Sequence, residues 1–186
     1  MARSECSVLS LDEKQFLAAL QKTPEFALMM MSIMGQRLRQ NIARLGASGS
    51  VPGAPGDHGG APEKKVLAKL AGELDEQLSA SYGAGKVIVS AGATGALMYV
   101  MMDGRAAISI GGKIVEHVGP GGIFGEMALV DRSPRAATAT AETDCTLLAI
   151  NRNDFIALVK ARPDFGALLL KSMAERARRW YPGGLA

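Results

Sequence analysis

Two side chains of opposite charge, Glu126 and Arg135, frame the part of this sequence with the greatest capacity for chemistry. Glu126 follows the run Gly119-Pro120-Gly121-Gly122-Ile123-Phe124-Gly125 and opens Met127-Ala128-Leu129. Arg135 lies in Ser133-Pro134-Arg135-Ala136-Ala137-Thr138. A glycine-rich turn leading into a very short helix near Gly125 presents backbone N–H groups, which attract an anion. A guanidinium holds a phosphate through charge-assisted hydrogen bonds, and a carboxylate accepts from a hydroxyl. An acid and a base beside one anion site fit a ligand that carries both a phosphate and hydroxyls. Gly125, Ala128, Ala136 and Ala137 are small and leave room for it.

The remaining chemistry-bearing residues point elsewhere. His58 and His117 are far apart and offer no triad or metal pair, and Cys6 and Cys145 belong to no cluster with zinc-ligand spacing. Without a nucleophile–base pair or a metal set, no catalytic residue, metal or cofactor is expected. Cys145 reads as a small buried hydrophobe and His117 as a strand surface residue. Arg176, Arg178 and Arg179 read as a solvated helix end that complements the helix dipole. A formal charge of +3, from 21 Lys+Arg against 18 Asp+Glu, is too small to argue for a DNA-binding surface. No apolar run is long enough for a membrane span, and the N-terminus lacks the apolar stretch of a signal peptide. The expectation is a cytoplasmic protein with reduced thiols.

The elements that must position Glu126 and Arg135 are legible from periodicity. Residues 86–89, 97–101, 105–110 and 113–118 read as short strands separated by Gly-bearing turns at Ala91-Gly92, Asp103-Gly104 and Gly111-Gly112, the pattern of antiparallel hairpins. Strands at 136–141 and 145–150 follow. A helix over 151–161 and another from Pro163 to about Trp180, with Phe165, Leu168, Leu169 and Met173 as its apolar stripe, close the unit. A helix over 63–78 precedes it. The stretch 46–62, GASGSVPGAPGDHGGAP, cannot bury enough surface to offset its ordering entropy and reads as a flexible linker. Before it, Ser7-Val8-Leu9-Ser10-Leu11 alternates as a half-buried strand does. Ser10 or Asp12 caps a helix bearing Phe16, Leu17 and Leu20. Thr23-Pro24 starts a second helix, with Phe26, Met30, Ile33, Met34, Leu38, Ile42 and Leu45 on its apolar face.

The two ends of the chain share a pattern. A shift of 139 positions superposes Cys6 on Cys145, Phe16 on Phe155, Pro24 on Pro163, Phe26 on Phe165, Met34 on Met173 and Arg37 on Arg176 without a gap. The matches fall on apolar faces and on the turn proline, so they repeat a packing scheme. Residues 1–45 read as the C-terminal remnant of a first domain, 46–62 as linker, 63–181 as a complete domain and 182–186 as a tail.

The run Phe124-Gly125-Glu126-x-Ala128-Leu129, followed by Pro134-Arg135-Ala136-Ala137-Thr138, resembles the phosphate-binding cassette of the cyclic nucleotide-binding domain family. Tyr99-Val100 and Asp103-Gly104 fall where that family has its tyrosine-bearing strand and turn. The resemblance implies an α+β fold: an antiparallel, jelly-roll-like β-roll of eight strands with a short cassette helix, an N-terminal helix and two closing helices, here preceded by an extra strand–helix–helix fragment. It implies that Arg135 pairs with the cyclic phosphate and that Glu126 takes the ribose 2′-hydroxyl. The segment Gly125, Met127 and Ala128, with Ala136 and Ala137, would complete the pocket, while Val118 and Phe124 lie against the purine. In the family an apolar or aromatic side chain of the closing helix covers the base, a place open here to Trp180, with Arg176 near it. Ala136 stands where a threonine often contacts guanine, so cAMP is expected over cGMP. The implied function is a cyclic nucleotide sensor whose output lies in an effector protein or a missing effector domain; a homodimer is compatible with it. One alternative is a truncated regulator of the catabolite-activator type without its DNA-binding domain, since the chain stops shortly after the closing helix. The other is a ligand-free domain that serves protein interaction.

Overall fold

The computed structural model describes residues 4–48, 56–58, 79–131 and 133–179. Helix α1 (Glu13–Lys22) starts where the sequence supplies a reciprocal cap. The Asp12 carboxylate accepts the Gln15 amide at 2.7 Å, and the Gln15 side chain accepts the Asp12 amide at 3.0 Å. Asp12, not Ser10, is therefore the cap. Thr23 ends α1, its N–H on the Ala19 carbonyl. Helix α2 (Glu25–Ser48) follows. The strand expected at residues 7–11 does not form, and Val8 and Leu9 are 89% and 86% exposed. Alternation alone makes no strand, because a strand needs a hydrogen-bonded neighbour.

The roll comprises β2 (Ser79–Tyr82), β3 (Val87–Val89), β4 (Met98–Asp103), β5 (Ala106–Ile110), β6 (Lys113–Val118), β7 (Ile123–Phe124), β8 (Thr138–Ala141) and β9 (Cys145–Ile150). A three-residue strand, β1 (Gly56–His58), lies parallel to β6. The sheets run β1-β6-β5-β8-β3 and β2-β9-β4-β7, antiparallel apart from β1. Within the stretch expected to be a flexible linker, residues 46–48 continue α2 and 56–58 pair with a sheet edge, which backbone groups alone can do. The helix expected over 63–78 lies outside the described residues. Short helix α3 (Glu126–Asp131) interrupts the roll, and α4 (Arg152–Ala161) and α5 (Pro163–Arg179) close it.

The two faces of β4 feed two cores, as the period of a strand requires. Tyr99 and Met101 point into the roll with Val118, Ala139 and Leu147. Met98 and Val100 point outward onto Phe155, Phe165 and Leu169 of the closing helices. Leu20, Ala27, Leu28, Met31 and Leu38 of the N-terminal helices are buried in that same outer core. The first block is therefore packed against the domain. Its buried seam is rotated from the expected face: Ala27, Leu28 and Met31 are inside, while Ile33 is 43% exposed.

The helix pairs α1–α2 and α4–α5 repeat local geometry across the shift of 139 residues. Both open on a capping box, and their C-caps Thr23 and Arg162 have φ/ψ of −138°/79° and −140°/82°. Phe16–Phe26 and Phe155–Phe165 are paired at 6.0 and 6.3 Å. The environments differ: Cys145 is buried, as expected, whereas Cys6 is exposed.

Candidate functional site

Arg135 sits at the end of the loop that leads from α3 into β8. Its backbone is latched to the β3–β4 loop, with its amide on Ala93 O at 2.8 Å and its carbonyl accepting Gly92 N at 2.9 Å. The side chain is buried, with 8% exposure, and Nη1 donates to Gly125 O at 2.9 Å. Two glycines make this approach feasible. Gly125 has φ +80°, and a Cβ there would stand 2.8 Å from Nη1; at Gly95 a Cβ would stand 2.6 Å from Nη2. Among the described residues no carboxylate forms an ion pair with Arg135. Burial pushes its pKa below the ordinary arginine value, opposed by the nearby Tyr99 and Glu126 groups. Tyr99, stacked on Phe124 at 5.4 Å, has its own pKa raised, mainly by burial.

Glu126 opens α3 and is buried. Its Oε1 accepts Arg176 Nη1 at 2.6 Å. Arg176 reaches in from α5 and donates to both oxygens of Glu116 at 3.0 Å and to Ile123 O at 2.7 Å. Burial alone would disfavour its charge, but the two carboxylates outweigh that and push its pKa further up. The two buried arginines thus differ: Arg176 is neutralised by protein carboxylates, and Arg135 is not.

One cleft joins these groups, enclosing about 530 Å³ of space including its open mouth. Of the residues expected at the site, Phe124, Gly125, Glu126, Met127, Ala128, Arg135, Ala136 and Ala137 all line it. Val118 does not: it is fully buried inside the roll, because its position on β6 directs it to the inner core. Arg176 lines the cleft, but as the partner of two carboxylates and not as a cover for a base. It is likewise no solvated helix end, whereas Arg178 is exposed. Trp180 lies outside the described residues. His117 is partly exposed on β6, with Nδ1 3.0 Å from Glu142 Oε2, which also accepts Arg105 Nε at 2.7 Å. Sequence reading missed Glu116, Gly95 and Ile42. Glu116 had a signal, since it shares the inward phase of β6 with Val118. Ile42 had none, because its place depends on how α2 packs.

Residues 79–162 match the family model described as the cyclic nucleotide-binding domain. Over this segment the chain is similar to the cyclic nucleotide-binding domain family. The chain is 35% identical over 131 residues to the cyclic AMP receptor protein of Thermus thermophilus, covering 68% of this chain and 58% of that protein. It is 34% identical over 93 residues to a cyclic nucleotide-gated potassium channel of Mesorhizobium japonicum, covering 50% of this chain and 26% of the channel. The crystal structure of the Thermus thermophilus catabolite activator protein superposes with a TM-score of 0.52 and 34% identity, covering 65% of this chain and 57% of that one. The chain therefore spans little more than half of the first relative and about a quarter of the second. The domain match begins at residue 79 and does not reach residues 1–45, so the comparisons do not support a partial second copy there. Among the described residues no helix is long and apolar enough to cross a membrane.

Proposed function

We propose that the chain is a non-catalytic cyclic nucleotide sensor module of the cytoplasm, with its binding unit in residues 63–181. It takes a cyclic mononucleotide in the cleft, cAMP in preference to cGMP, and signals through movement of α5 to an effector outside this chain. The observation that carries this reading is the buried Arg135 guanidinium without a carboxylate partner among the described residues. A buried cation is costly unless an anion meets it, and the ligand's phosphate is that anion. Arg176 occupies Oε1 of Glu126, which leaves Oε2 to accept the ribose hydroxyl. Phe124 meets the base.

The coupling to α5 rests on Arg176, which ties that helix to the cassette through Glu126, Glu116 and Ile123 O. A hydroxyl arriving on Glu126 alters the balance of that network, so ligand and helix position are linked. The preference for cAMP rests on Ala136, which lines the cleft and has no hydroxyl for a guanine amino group. Calorimetric titration with cAMP and cGMP tests the proposal. Saturable binding with cAMP tighter is expected, and Ala136→Thr should move the ratio toward cGMP by about 1–2 kcal/mol. No heat and no thermal shift with either nucleotide would refute binding; equal or tighter cGMP binding would refute the preference.

A further inference from the structure

We infer that the N-terminal helix α2 is a working part of the ligand site: Ile42 forms one wall of the cleft, and Arg39 is a positioning residue for Arg135. The inference rests on the reading of Arg135 as the ligand's phosphate partner. Gly35, Arg39 and Ile42 recur at four- and three-residue spacing on one face of α2. That face lies across α3 and the loop that follows it.

Arg39 grips this loop at two points. Its Nε and Nη2 fork onto the two Asp131 oxygens at 2.7 and 3.1 Å, and its Nη1 donates to Pro134 O at 3.0 Å. Asp131 ends α3, and its Oδ1 also accepts the Ser133 amide at 2.9 Å. Pro134 is the residue before Arg135, whose own backbone is latched to Ala93 and Gly92 from the other side. The arginine-bearing loop is thus held between the roll and α2. A planar fork fixes both distance and direction, which a single point charge does not.

The same helix face supplies the wall. One helical turn before Arg39, a Cβ at Gly35 would be 3.9 Å from Met127 Cγ, an ordinary contact, so α2 lies close on the cassette helix. One turn after it, Ile42 lines the cleft. Among the described residues that line the cleft, only Ile42 and Arg176 come from outside the roll and its cassette. If α2 lifts, the cleft loses an apolar wall and the loop before Arg135 loses its clamp together. Docking of α2 therefore sets how long a ligand stays, and by reciprocity a bound ligand holds α2 down.

The test uses the full chain and two readouts: hydrogen exchange of the amides at 127–135 without ligand, and dissociation of a fluorescent cAMP analogue chased with unlabelled cAMP. Arg39→Ala should accelerate both by about tenfold or more. The charge swap Arg39→Asp with Asp131→Arg should restore both in part, which a purely space-filling role of Arg39 would not produce. Ile42→Ala should speed dissociation while leaving exchange at 131–135 near that of the parent. Unchanged exchange in Arg39→Ala overturns the clamp; accelerated exchange with unchanged dissociation overturns the link to the ligand. If the parent chain takes up no cyclic nucleotide, the proposed function fails on its own, and the exchange data alone decide whether Arg39 holds the loop.

Discussion

Arg135→Ala separates a ligand-binding arginine from a structural one, because the two roles have opposite signatures. In the free protein the guanidinium is buried, donates a single hydrogen bond to Gly125 O at 2.9 Å and meets no carboxylate among the described residues. A hydrogen bond from a charged donor returns about 1.5–3 kcal/mol net, and leaving the buried charge without a counter-ion costs about as much or more. Truncation should therefore leave ligand-free stability unchanged or raise it. With ligand present the balance is different. The cyclic phosphate is left in a narrow cleft without its counter-charge, and removing one partner of a buried charged pair costs about 2–5 kcal/mol. That corresponds to roughly 30-fold to 5,000-fold in Kd. Urea denaturation without nucleotide, paired with calorimetric titration of cAMP, measures the two effects separately. A variant destabilised by more than about 3 kcal/mol whose cAMP affinity falls by less than about tenfold would refute the reasoning. Arg135 would then be an anchor of the fold.

Arg176→Ala should behave in the opposite way, destabilising the ligand-free protein by about 3–5 kcal/mol because it strips the cation from two buried carboxylates; a urea midpoint within error of the parent would contradict the network. Gly95→Ala should leave the fold intact, since its Cβ meets the movable end of a side chain, yet displace the Arg135 guanidinium and weaken cAMP binding by about tenfold; unchanged affinity by titration would show that Arg135 has room to spare. The Asp131 carboxyl gives a pH dependence. Burial by itself would raise its pKa, but hydrogen bonds from Arg39 and the Ser133 amide, with the Arg39 charge, hold it below the ordinary aspartate value. A depressed carboxylate stabilises fully above the unfolded pKa, about 3.9, and that contribution is lost as pH falls through the lower folded value. The stability gap between the parent and Asp131→Asn should therefore close as pH drops below about 4; a gap independent of pH, measured by urea denaturation across that range, would show that the pair contributes nothing through ionisation.

The features legible in the sequence were those written in short stretches. The strands of the roll follow from two-residue alternation between Gly-bearing turns, and β4, β5, β6 and β9 lie within a residue or two of where that pattern puts them. The cassette was legible for the same reason, since Gly125, Glu126 and Arg135 are placed by one turn, one short helix and one loop. What tertiary structure decided was every relation across distant parts of the chain. Arg176 meets Glu126 and Glu116 across 50 and 60 residues, and Arg39 meets Asp131 across 92. An arginine near a helix end looks solvated in sequence, and only packing shows that its partners wait in a buried cleft. Val118 shares its inward phase on β6 with Glu116, which does line the cleft, so alternation could not tell the roll interior from the ligand cleft. The segment at 7–11 shows the converse: its alternation is that of a strand, but strand formation is a property of a pair, and no described strand runs beside it. The role of α2 lay furthest beyond reach, because its helical period specifies that one face is buried and leaves open what that face is buried against.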